Sequence, residues 1–121
     1  LSSIQILATN HPYEKWDNFP LERERLLKLI ANASQNKIIL AVSGDRHRSG
    51  IYENDHFVEI TASSLNKPAS KNIETDPLLL GETYPIKNFG TLDIQPSKKR
   101  ITLSIHDQNG FKLNSKIINL Y

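Results

Sequence analysis

The chain contains no cysteine and no methionine. The first absence removes disulfide staples and thiolate metal sites, though it leaves the compartment open. The second, with Leu1 in first place, means that no start residue is represented, so the 121 residues are expected to be a piece of something longer. No apolar run approaches the roughly 20 residues that a membrane-spanning helix needs, and no charged-then-apolar leader is visible within these residues. A bias of charge is missing too. Fifteen basic against 13 acidic residues leave +2, too balanced to advertise nucleic acid as a partner. Internal repeats, low-complexity tracts, a Gly-rich phosphate loop and a Ser/His/Asp order are all absent. What remains, with 38% hydrophobic residues, has the size and composition of one globular domain.

The local patterns predict an α/β (α+β) chain. "IQILAT", from Ile4, is β-branched and stops at "NHP", as a strand entering a loop does. Pro20 suits the first turn of a helix through "PLERERLLKLIANA", where Leu26, Leu27, Ile30 and Ala33 share a face. "IILAV", Ile38 to Val42, has the continuous apolar character of a strand covered on both sides. Strand, helix and strand in that order predict a βαβ unit with parallel strands and a right-handed crossover. Beyond it, "HFVEITASSL" reads as a strand, followed by a polar loop from Asn66 to about Asp76. "NFGTLDIQ", "RITLSIHD" and "FKLNSKIINL" read as three mostly antiparallel strands, the last two joined at Gln108-Asn109-Gly110. Thr102, Ser104 and His106 alternate with Ile101, Leu103 and Ile105, which predicts one wet face.

Chemistry gathers in "AVSGDRHRSG", Ala41 to Gly50, where an acid and three basic side chains follow the apolar run directly. Asp45 and His47 offer a carboxylate and an imidazole, good ligands for Zn, Mn or Fe, and the carboxylate suits Ca. The competing reading is a turn Asp bonding its own backbone beside a surface His. Arg46 and Arg48 carry forked donors that fit a phosphate or stand solvated. Ligands of open α/β sheets sit beyond the carboxyl ends of parallel strands, so His11 is expected to share a rim with Asp45 and His47. Trp16 and Phe19 read as an apolar plug before the helix, and His56 and His106 as structural or solvent-facing.

Two stretches carry a family resemblance. The W-x-x-F-P-x-E-R-x-x-L-x-x-I run, Trp16 to Ile30 with one residue of slack, and the Ser-Gly-Asp-x-His motif at Ser43 to His47 together resemble the alkaline phosphatase D (PhoD-like) family of calcineurin-like metallophosphoesterases. The resemblance runs from about Ser2 to Asn66 and more loosely to the end. It implies a single domain, 1–121, forming the C-terminal half of a metallophosphoesterase β-sandwich. Within it, 1–50 would carry the βαβ unit and metal-site loops, and 51–121 the β-rich part.

The resemblance also implies roles. Asp45 and His47 would bind metal, with Asp45 standing where related enzymes carry the first His of Gly-His-x-His and His47 also serving catalysis; His11 would be a weaker third ligand. Arg46 and Arg48 would face the phosphate, although the family gives them no fixed role. The metal motifs of the superfamily's N-terminal half are absent from these residues. The parent would therefore be a metal-dependent phosphoric ester hydrolase using divalent or trivalent ions on a phosphomono- or diester. The 121 residues alone would form an incomplete shell, inactive or nearly so, whose partners are the phosphate ester, the parent's N-terminal half and further copies of itself. The residues leave localisation unknown; an extracytoplasmic (periplasmic or secreted) one is compatible with the resemblance alone. An alternative function stands beside it: a non-catalytic α/β binding or interaction module on the same scaffold.

Overall fold

A computed structural model describes residues 1–121. One helix, α1 (Pro20–Ser34), and two three-stranded sheets form three layers, the α+β class that the sequence predicts. The first sheet holds β1 (Leu40–Ser43), β2 (Ser49–Glu53) and β3 (Val58–Ala62) in the order β1-β3-β2, with β1 parallel and β2 antiparallel to β3. The second is an antiparallel meander of β4 (Asn88–Gln95), β5 (Arg100–Asp107) and β6 (Lys112–Asn119). No helix is long and apolar enough to cross a membrane.

Period-2 alternation sorts the side chains of the first sheet onto two faces. Leu40, Val42, Ile51, Val58 and Ile60 face the second sheet and meet Leu103 and Ile105 of β5. Ile51, Leu103 and Ile105 are fully buried, each stabilising the fold by roughly 1.5–3 kcal/mol. The outer face of the meander is wet only in part: Thr102 and His106 are half-buried and Ser104 is buried, and Thr91 bonds His106, whose ring stacks on Phe89 at 5.1 Å. The β5–β6 turn forms where predicted. Positive φ falls on Gly110 alone (85°), and Asp107 Oδ1 accepts the N–H groups of Asn109 and Phe111.

The other face of the first sheet is covered by α1 and the N-terminal residues. Leu26, Leu27 and Ile30 pack on Ile6, Leu7, Ala8, Ala41, Tyr52 and Phe57. Ala33, expected on this face, is exposed; Arg23 lies on the inward side with Leu26, Leu27, Ile30 and Ser34, at i, i+3, i+4, i+7 and i+11. Trp16 plugs the cluster and donates its indole N–H to Ser2 Oγ, whereas Phe19 stays exposed.

The first strand of the predicted βαβ unit does not form. Residues 4–9 are buried in part yet irregular, and the backbone bond to β1 comes from Ser2, just before them, whose N–H donates to the Val42 carbonyl. The reason is visible at Ile6 and Leu7, where side chains take the place of a ladder. Glu59 of β3 accepts both N–H groups, from Ile6 at 2.9 and 3.1 Å and from Leu7 at 2.7 Å. Arg23 of α1 donates to the carbonyls of the same two residues, at 2.9 and 3.2 Å. With these groups satisfied by side chains, a neighbouring strand has little left to bond.

Candidate functional site

The turn after β1 meets the loop after the N-terminal segment, as the rim argument expects, but the side chains sort differently. Arg46 N–H donates to the Gly44 carbonyl around Asp45, whose φ is 70°, a γ-turn in the left-handed region. His47 also has positive φ, 52°. This alternation turns Asp45 and His47 outward, where both are exposed, and Arg46 and Arg48 inward, where 5% and 2% of their surface remains accessible.

The inward guanidiniums are committed inside the protein. Arg46 forks onto the Glu74 carboxylate, Nη2 to Oε1 at 2.5 Å and Nη1 to Oε2 at 3.2 Å, and also donates to Gln5 Oε1 at 3.1 Å. Its guanidinium carbon lies 5.1 Å from the Tyr13 ring centre, within range of a cation–π contact. Arg48 donates to the carbonyls of Ser70 and Asn72, to Asn72 Oδ1 and to Thr83 Oγ1, and its Nε lies 3.4 Å from Glu74. Together with Ala69 N–H on the His47 carbonyl, these bonds strap the 66–76 loop over the turn. The arginines thus organise that loop rather than opening their forks to an outside phosphate.

His11 is turned inward as well. Its Nε2 lies 2.9 Å from Gln5 Oε1, an acceptor, so Nε2 carries the proton; Nδ1 accepts the Tyr13 N–H at 3.2 Å. Burial, reinforced by Arg46, lowers its pKa to about 4 and keeps it neutral. Both ring nitrogens are in use. No three His, Asp or Glu side chains converge so as to hold a metal ion, so Asp45, His47 and His11 do not form a cage by themselves.

Around the rim lies a cleft of about 370 Å³, between Tyr13 and Glu14 on one side, the 45–48 turn on the floor and Ala69 and Ser70 on the other. Behind it runs a buried polar chain that sequence reading missed. Gln5 Nε2 donates to Thr61 Oγ1 at 2.9 Å, Thr61 pairs with Ser43 Oγ at 2.8 Å, and Gln5 Oε1 receives both Arg46 and His11. Glu59, fully buried, anchors the other end beside Thr61, and burial raises its pKa against the hydrogen bonds it accepts and the charge of Arg23. One signal was available: in "FVEITA" the acid at position 59 and the hydroxyl at 61 share the face opposite Val58 and Ile60.

No protein-family model matches the chain, and no curated protein matches it. Among solved structures it is similar to one described as "GAP50 the anchor in the inner membrane complex of Plasmodium", with a TM-score of 0.77 and 15% sequence identity. The match covers 98% of this chain and 35% of that one, so the chain spans about a third of its length. At that identity the likeness shows the fold.

These findings overturn the resemblance to alkaline phosphatase D and the phosphoesterase function drawn from it. The similar structure is described as an anchor, and no family model supports the assignment. The hydrolase and metal-binding descriptions fall with it, since no metal-holding cluster is present. The physical reason lies in the motif itself. Two short runs carried the resemblance, and the arginines within "SGDRHR" are spent on Glu74, Gln5, Asn72 and Thr83, partners that no local motif reveals.

Proposed function

We propose that this chain is a binding module, using its α+β scaffold to present a surface to another protein rather than to turn over a substrate. The observation that carries this reading is a contrast between two parts of the surface. The polar rim beside the turn is consumed internally, with both guanidiniums and both nitrogens of His11 engaged. Exposed apolar side chains lie elsewhere, Leu21 and Leu29 on α1 and Leu92, Ile94, Phe111 and Ile117 on the meander, of which only the last group sits on a sheet. Exposed apolar residues on a sheet with uncovered edges favour protein contact. The description of the structurally similar protein as an anchor agrees with this reading.

Site-specific photo-crosslinking tests it. A photoreactive residue at Ile94 in native extract is expected to give a discrete adduct, and the same residue at His47 is expected to give none. An adduct from position 47 alone, or ester hydrolysis that His47→Ala abolishes, would replace the binding reading with one centred on the rim.

A further inference from the structure

The β5–β6 turn carries the chain's least shielded asparagine. Loss of an asparagine amide depends on the residue that follows, whose backbone nitrogen must reach the side-chain amide carbon. Asn109 alone among the asparagines is followed by glycine, which has no side chain to hinder that approach. Space is open as well: a Cβ placed on Gly110 would meet nothing within 4 Å. Residues 108–111 are all exposed. Asp107 holds the turn together. Its carbonyl accepts the Gly110 N–H at 3.0 Å, and its Oδ1 accepts the N–H groups of Asn109 and Phe111 at 2.8 and 2.9 Å. The Asn109 side-chain amide takes no part in these bonds. Asn114, followed by the small Ser115, has the opposite setting. It is half-buried within β6, its Nδ2 donates to the Leu80 carbonyl at 3.0 Å, and its Oδ1 accepts the Ser115 N–H at 2.8 Å.

We infer that Asn109–Gly110 is a self-modification site, at which Asn109 deamidates through a succinimide whenever the turn held by Asp107 opens. The Gly110 nitrogen gives its proton to solvent base and bonds to Asn109 Cγ. The Cγ–Nδ2 bond breaks and the amide leaves as ammonia. Water then opens the ring. Attack at Cγ gives aspartate, and attack at the main-chain carbonyl carbon gives isoaspartate, in which the chain runs through Cγ. No oxidant or enzyme is needed. Either product sets a new carboxylate near Asp107, a repulsion that weakens the turn. Isoaspartate also adds one carbon to the main chain, so the Asp107 Oδ1 bonds to residues 109 and 111 no longer fit together. The neighbouring Phe111, 70% exposed, is then released from its place on the meander. The site stands on the geometry of the turn alone and does not depend on the interaction reading above.

Trypsin, cutting after Lys and Arg, separates the two asparagines: residues 101–112 carry Asn109 alone and residues 113–116 carry Asn114 alone. Folded protein kept in mildly alkaline buffer is expected to convert the 101–112 peptide to aspartate and isoaspartate forms. Mass spectrometry reads both, and an isoaspartyl methyltransferase labels the second. The 113–116 peptide is expected to stay unconverted until the protein is unfolded in urea. Conversion at Asn109 is expected to quicken as pH rises, because the attacking nitrogen must lose its proton. Asp107→Ala is expected to speed it about fivefold, the population shift equivalent to one net hydrogen bond. Asn109→Gln is expected to leave the 101–112 peptide unlabelled over the same period. Absence of conversion at Asn109, or equal conversion of the two peptides in the folded protein, overturns the site. An unchanged rate in Asp107→Ala overturns the gate. Should that variant unfold, its 113–116 peptide converts and reveals it, and the wild-type contrast between the two peptides still decides.

Discussion

The first sheet has two faces that are held in opposite ways. Toward the meander, Ile51, Val58, Ile60, Leu103 and Ile105 form an apolar contact. Toward α1, Glu59, Thr61, Gln5, Arg46 and His11 form a hydrogen-bonded interior only partly lined by apolar groups. The apolar face tolerates any arrangement that fills its volume, because burial is non-directional. The polar face demands particular partners, since each unpaired buried group costs more than its bond contributes. Stability should therefore follow volume on one side and pairing on the other.

Four measurements sharpen or break that contrast. The largest effect is expected from Leu103→Ala, a loss of about 4 kcal/mol in urea unfolding, with Leu103→Met costing less than about 1.5 kcal/mol. On the polar side, Glu59→Ala is expected to cost about 3 kcal/mol by stranding the Ile6 and Leu7 N–H groups, and fast amide exchange at those two residues would be its signature. Exchange unchanged at Ile6 and Leu7 would mean that the carboxylate does not hold the segment.

The third measurement is acid titration. The unfolded chain takes up the His11 proton below about 6.5, the folded chain only below about 4. This group therefore removes stability as pH falls across that window and contributes no slope above it. His11→Gln should lose that part of the slope. Glu59 works with the opposite sign: its raised folded pKa favours the fold below the ordinary carboxyl value, an advantage lost as pH rises through the folded pKa. Glu59→Gln should remove that decline. The smallest effect is expected at the turn, where His47→Gly relieves a φ of 52° and raises stability by about 0.5–1 kcal/mol.

What could be read beforehand follows the same division. Pro20 and the leucine spacing located α1, and β4 and β5 coincide with "NFGTLDIQ" and "RITLSIHD", because local periodicity and turn chemistry decide those elements. β2 escaped notice: five residues that include Ser49 and Gly50 show no alternation, and their pairing with β3 and with 78–84 comes from distant residues. The stretch from Ile4 is β-rich in composition, while the groups that prevent a ladder lie 16 and more residues away, at positions 23 and 59. At the rim, the meeting of the two loops was legible. The inward turn of Arg46 was not, since Glu74 lies 28 residues further on.

The Glu59–Arg23 clamp has a consequence for how the chain can vary over time. A strand held in a ladder is attached through main-chain atoms that every residue but proline supplies, so nearly any codon keeps it in place. The main chain of Ile6 and Leu7 is instead bonded by two side chains on other elements. Its hold is therefore heritable at positions 59 and 23 more than at 6 and 7, where the backbone does the bonding. A lineage could replace Ile6 or Leu7 with another apolar residue and keep these bonds, while the loss of the acceptor at 59 would strand both N–H groups at once.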